Sequence, residues 1–225
     1  MLQNIPIYLH LLMYLGIAIA LFGLLKSSKA KKEVLWVSAF LLAIQSILSF
    51  SGFYLKTDSL PPHFPLLIIP SIGVILYLFI SQKGKTWLDG LDAKWLVLLH
   101  ILRIPIEFML LGLFLHKALP EIMTFEGLNF DILAGISAPF IYYFYYVKKR
   151  LNKKVVIIWN VVCLALLINI LVIAIFSVDW PFQKFGFNQP NKAILQFPFS
   201  FLPGYVVPVV LFSHLVSLRT LLKNS

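Results

Sequence analysis

Seven apolar stretches separated by short polar connections decide what this chain can fold into. They run at about 5–25, 34–54, 64–81, 95–116, 129–147, 155–178 and 201–218. A helix needs roughly 20 apolar residues to cross a hydrocarbon core. In lipid, a spanning segment has to bond its own backbone N–H and C=O groups, which a single helix does. The expected fold class is therefore all-α: a polytopic seven-transmembrane-helix bundle over residues 1–225, as one domain with no soluble domain. The third and fifth stretches are short and carry Pro65, Pro70 and Pro139, so their ends are the least defined. Composition opposes a water-soluble core. The chain is 60% hydrophobic and 12% charged, against about 45–50% and about 25% in soluble domains. No basic residue precedes the first stretch, which reads as a span and not as a cleavable signal.

The basic residues alternate in density between connections. Fourteen of the nineteen lysines and arginines fall in four of them. These are Lys26, Lys29, Lys31 and Lys32; Lys83, Lys85 and Lys94; Lys148, Lys149, Arg150, Lys153 and Lys154; and Arg219 and Lys223. The intervening connections hold Lys56, Lys117, Lys184 and Lys192, and Arg103 stands inside an apolar stretch. Lysine and arginine accumulate on the cytoplasmic side. The N-terminus is then outside and the C-terminus cytoplasmic, as an odd number of spans requires. The net charge of +10 is topological on this reading and calls for no nucleic-acid partner. The expected surroundings are a lipid bilayer, in a bacterial-type plasma membrane. Trp36, Trp95, Trp159 and Trp180, with Tyr142, Tyr143, Tyr145 and Tyr146, suit an interfacial belt.

The fourth stretch, WLVLLHILRIPIEFMLLGLFLH, carries three ionisable residues. His100, Arg103 and Glu107 are spaced i, i+3 and i+7 and share one helix face. Each ionisable group at bilayer depth costs about 2.5–3.5 kcal/mol, so the stripe needs compensation. At a rise of 1.5 Å per residue, Arg103 lies about 12 Å and Glu107 about 18 Å beyond Trp95. The i, i+4 spacing predicts an Arg103–Glu107 pair. Pro105 between them leaves the Ile101 carbonyl without its usual donor and predicts a kink.

The following connection adds Glu121, Glu126 and Asp131. Asp131 reads as the N-cap of the fifth helix. Together with Glu107, the three acids suggest an acidic outer approach to the stripe. His214, in the last stretch, has a depth comparable to His100, and the two would form one polar layer with Arg103 if they faced each other. His10, Gln45, Ser46, Ser49, Asn160 and Asn169 read as hydrogen-bonding contacts between helices. Residues 179–200 form the longest connection, either a cap over the outer mouth or an interfacial segment.

Several chemistries are excluded. The last stretch has no lysine for a retinal Schiff base. The five histidines are scattered, and neither GxSxG nor HExxH occurs. The single cysteine, Cys163, reads as a small apolar residue and permits no intrachain disulfide. No cofactor and no metal is expected. The residues point first to a transporter for a small solute or ion. In that reading Glu107 responds to protons or cations, Arg103 holds an anionic group or compensates Glu107, and His100 is a hydrogen-bonding neighbour. Two other readings stand beside it: a membrane-embedded enzyme acting on a lipid or isoprenoid, with Glu107 and His100 as acid and base, and a sensor or assembly subunit whose ion pair is purely structural.

Overall fold

The computed structural model describes residues 5–57 and 62–223, and these form helices and turns with no strand among them. The helices are α1 (Ile7–Ser27), α2 (Lys31–Phe50), α3 (Ile69–Ile80), α4 (Gln82–Asp89), α5 (Ala93–Leu99), α6 (Arg103–Leu115), α7 (Ile132–Ile141), α8 (Lys153–Phe176) and α9 (Val207–Lys223). A 3-10 turn, His100–Leu102, joins α5 to α6 as one rod. A π-type turn, Leu202–Val206, leads into α9. Among the described residues five segments are long and apolar enough to cross a membrane: Ile7–Ser27, Lys31–Phe50, Ala93–Leu115, Lys153–Phe176 and Leu202–Lys223.

The third and fifth stretches differ from single long helices, and proline is the reason. Pro70 fixes the first turn of α3, leaving 64–67 as a separate 3-10 turn. Pro139 sits inside α7, which passes into a π-type turn over Tyr142–Val147. α2 stops at Phe50 because Gly52, at φ +70°, turns the chain away. Three helices begin at side-chain caps. Ser81 Oγ accepts from the Gly84 N–H, Asp92 Oδ1 from that of Lys94, and Asn152 Oδ1 from that of Lys154.

Burial ranks the helices. In the most apolar window of the α5–α6 rod 67% of residues are buried, and 61% in that of 202–223; in α1, α2 and α8 the share is 28–33%. The rod and α9 are thus the centre, and the others surround them. α1 lies close against the rod because Gly16 faces Ile106 and Gly23 faces Leu99, with no room for a Cβ at either. The outward faces are strongly apolar, with Ile7, Phe40, Tyr77 and Ile158 each at least 60% exposed. Such surface is disfavoured in water and favoured in lipid.

Two sets of connections gather at the two ends. At one, the Asp92 N–H donates to the Ser27 carbonyl and Trp87 Nε1 to Ser28 Oγ. Arg219 and Lys223 bind the two Asp89 oxygens at 2.9 and 2.6 Å. At the other end, 177–200 folds over the bundle. The Lys192 and Ala193 N–H groups donate to the Ala118 carbonyl, and that of Asn191 to the Ser177 carbonyl. Gln189 Nε2 reaches the Phe114 and Leu119 carbonyls, and Ser200 Oγ donates to Ser49 Oγ.

A buried polar centre as the candidate functional site

The rod presents His100, Arg103 and Glu107 to the interior, where they are 0%, 2% and 2% exposed. Pro105 acts one turn upstream of itself. It has no N–H for the Ile101 carbonyl, and the Arg103 N–H turns to the His100 and Ile101 carbonyls instead. The rod tightens into its 3-10 turn at the point where the ionisable stripe begins.

Arg103 does not pair with Glu107. Its Nη1 donates to Asp131 Oδ1 at 2.6 Å, and its Nη2 to His214 Nε2 at 3.0 Å. The Cys163 carbonyl lies 3.5 Å from Nη1. Helical side chains lean toward the N-terminus, so a cation four residues before an anion is the poorer order for a pair. Asp131, in turn, makes no side-chain cap on α7. Gly135 explains its reach: a Cβ there would come within 2.9 Å of Ile104. The glycine brings α7 against the start of α6, and Asp131, one turn earlier and just before α7, meets the guanidinium.

Hydrogen-bond chemistry fixes the His214 tautomer. Arginine only donates, so Nε2 accepts. Asn160 Nδ2 is occupied by the Val156 carbonyl, so its Oδ1, 3.0 Å from His214 Nδ1, accepts the imidazole hydrogen. His214 is therefore held between a guanidinium and an amide oxygen. The His100 ring stacks on it, with centroids 4.0 Å apart, and Trp159 closes the cluster at 5.6 Å from His100. His100 is not a hydrogen-bonding neighbour here, since both its ring nitrogens lack a partner among the described residues.

Glu107 is served by a different residue. Asn129 Nδ2 donates to Glu107 Oε1 at 2.7 Å and to the Met123 carbonyl at 3.1 Å, while Asn129 Oδ1 accepts from the Asp131 N–H. Asn129 thus ties the acid on α6 to the turn that sets Asp131. Glu107 Oε2 and Arg103 Nε have no partner among the described residues.

The acidic outer approach is divided. Glu107 and Asp131 are in the core, whereas Glu121 and Glu126 are exposed. The 119–131 segment covers the centre, with Met123, Thr124 and Asn129 at most 1% exposed. His116 binds the Gly112 carbonyl, and among the described residues no three metal-binding side chains come together. His10 packs on Phe199. Gln45 holds the Leu67 carbonyl and the Tyr54 hydroxyl. Asn129 and Trp159 are the members of the centre that the sequence did not single out. Asn129 looked like the start of a span, and Trp159 like a belt residue.

No curated protein and no solved structure is matched by the chain. The family described as Domain of unknown function (DUF8737) matches residues 64–222. That range takes in α3 to α8, all but the last residue of α9 and every residue of the polar centre, and the chain belongs to this family.

Proposed function

We propose that this chain is a seven-span membrane protein, N-terminus outside and C-terminus cytoplasmic, that transports a small ion, the proton, through its polar centre. One observation carries the reading. Four polar atoms of a single stripe are buried without a partner among the described residues: Nδ1 and Nε2 of His100, Nε of Arg103 and Oε2 of Glu107. A buried group left unbonded costs about 1–3 kcal/mol, and such groups concentrate where water, an ion or a ligand is handled. Asp131 already balances the arginine charge, so Glu107 is available as the proton-responsive group. Arg103 Nε supplies a remaining donor for an anionic group, and His100 supplies two ring nitrogens. The orientation is supported by the gathering of 27–28, 87–92 and 219–223 at one end. The centre is sealed in this conformation, so the transport reading requires opening toward each side in turn. The lipid-enzyme reading is weaker: the apolar cavity between α2, α3 and α9 has neither His100 nor Glu107 in its wall.

The test is proton flux in liposomes. Purified protein is reconstituted with a pH-sensitive dye inside, and a potassium gradient with valinomycin sets the interior negative. Wild-type vesicles are expected to acidify faster than protein-free ones. Glu107→Gln, verified as folded, is expected to fall about ten-fold or more, the equivalent of 1.4 kcal/mol or above. Wild-type flux equal to that of empty vesicles overturns proton transport. Unchanged flux in Glu107→Gln overturns the role of Glu107 and favours a structural polar centre.

A further inference from the structure

Away from the polar centre, a cavity of about 780 Å³ lies between α2, α3 and α9, with Leu24 of α1 and Trp87 of α4 at its edges. Its volume is in the range of about 300–1,000 Å³ typical of small-ligand pockets. Val37 and Tyr77 on its rim are exposed on the outer surface of the bundle, so it opens sideways.

A glycine in this wall has no packing explanation among the described residues. Glycine in a helix interior costs about 1 kcal/mol relative to alanine, so a packing reason is expected for it. Gly16, Gly23, Gly84, Gly112, Gly135 and Gly204 supply one: a Cβ at each would come within 3.0 Å of another group. Gly73, in the middle of α3, has nothing within 4 Å. It lines the cavity, and its bare backbone leaves room that none of the described residues fills.

The wall chemistry defines the occupant. Its buried polar side chains are already bonded: Tyr205 to Ser38, and Ser71 to the Gly204 carbonyl. What remains is apolar, as a hydrocarbon chain requires. Charge enters at one end only, from Glu33 in the first turn of α2 and Lys83 in the first turn of α4. The two form no ion pair with each other among the described residues, whose ion pairs lie elsewhere. Leu41, eight residues past Glu33, lies about 12 Å deeper.

We infer that this groove is a binding site for an ethanolamine phospholipid of the bilayer. One acyl chain lies along Gly73, the phosphate meets Lys83 and the ammonium meets Glu33. The inference needs the apolar outer surface but not the transport reading, so the two fail separately.

The test is lipid retention by native mass spectrometry. Delipidated protein in mild detergent is offered an equimolar mixture of phosphatidylethanolamine, phosphatidylglycerol and phosphatidylcholine with identical chains. Wild type is expected to retain phosphatidylethanolamine about ten-fold over the others, a 1.4 kcal/mol preference. Gly73→Leu and Val37→Phe fill the groove from opposite walls, and both are expected to lose that lipid. The double variant Glu33→Gln/Lys83→Gln is expected to keep lipid but lose the preference. Retention in proportion to the mixture, or preference for phosphatidylglycerol, overturns the proposal. So does undiminished retention in a folded groove-filling variant. Should Gly73→Leu not fold, Val37→Phe, whose residue is 42% exposed, decides by the same readout. A dimer mass that disappears in the groove-filling variants assigns the groove to a second copy of the chain and overturns the lipid.

Discussion

At the residue scale, the polar centre divides labour between two acids. Asp131 neutralises Arg103, and Glu107 is held by a neutral amide. Asn129 is therefore more than a spacer, because its one side chain serves Glu107, the Met123 carbonyl and the Asp131 N–H. Asn129→Ala leaves these buried groups without their partner and is expected to destabilise the protein by about 1–3 kcal/mol. Thermal unfolding in detergent measures this, with Glu107→Gln as the comparison. Glutamine Oε1 still accepts from Asn129, so that variant is expected to stay within about 1 kcal/mol of wild type. Equal losses in the two would mean that Asn129 has no special place.

Elements were legible in the sequence where composition alone decides, and illegible where partners are distant. The apolar stretches follow from runs that only a helix can carry through lipid. The rod over 93–115 lies within two residues of the expected 95–116. The upstream effect of Pro105 follows from one missing N–H. The shorter third and fifth helices were marked by their prolines, though not the π-type turn at 142–147. The ion pair was missed because Arg103 and Asp131 are 28 residues apart. Local spacing offered Glu107, and only the packing of Gly135 on Ile104 brings the true partner in. His214, 111 residues from Arg103, was expected in one layer with His100 and Arg103 only if the helices faced each other, since helix rotation is set by packing and not by local pattern; the structure has them face each other. The groove left one trace, the helical Gly73, whose neighbours a sequence does not display.

The link between α4 and α9 belongs to the same scale. Hydrogen bonds first from Arg219 and then from Lys223 hold the Asp89 carboxyl below its usual range. A carboxyl lowered by folding contributes stability above its unfolded value of about 3.9, and loses it as pH falls through the folded value. Wild type is therefore expected to lose this contribution below about pH 4, while Asp89→Asn lacks it throughout. Unfolding temperature against pH for the two proteins checks this. The difference should shrink in high salt, because the pair is partly exposed. Parallel curves for the two proteins would contradict the role given to Asp89.

At the scale of the whole molecule, lipid-compatible faces surround two central segments, and the polar groups are turned inward between them. Arg103 joins α6 to the head of α7 through Asp131 and to α9 through His214, and His214 reaches α8 through Asn160. The centre is thus where four of the helices are tied, and its pairing is a property of the assembled bundle. Removing one member of a buried ion pair costs about 3–5 kcal/mol, because the other is left unpaired. The division of labour between the two acids underlies the whole account, and a pair of double-mutant cycles on unfolding free energy tests it directly. Arg103→Gln combined with Asp131→Asn is predicted to show a coupling of about 2 kcal/mol or more, and Arg103→Gln combined with Glu107→Gln one below about 0.5 kcal/mol. The reverse ranking, with the strong coupling to Glu107, would contradict it.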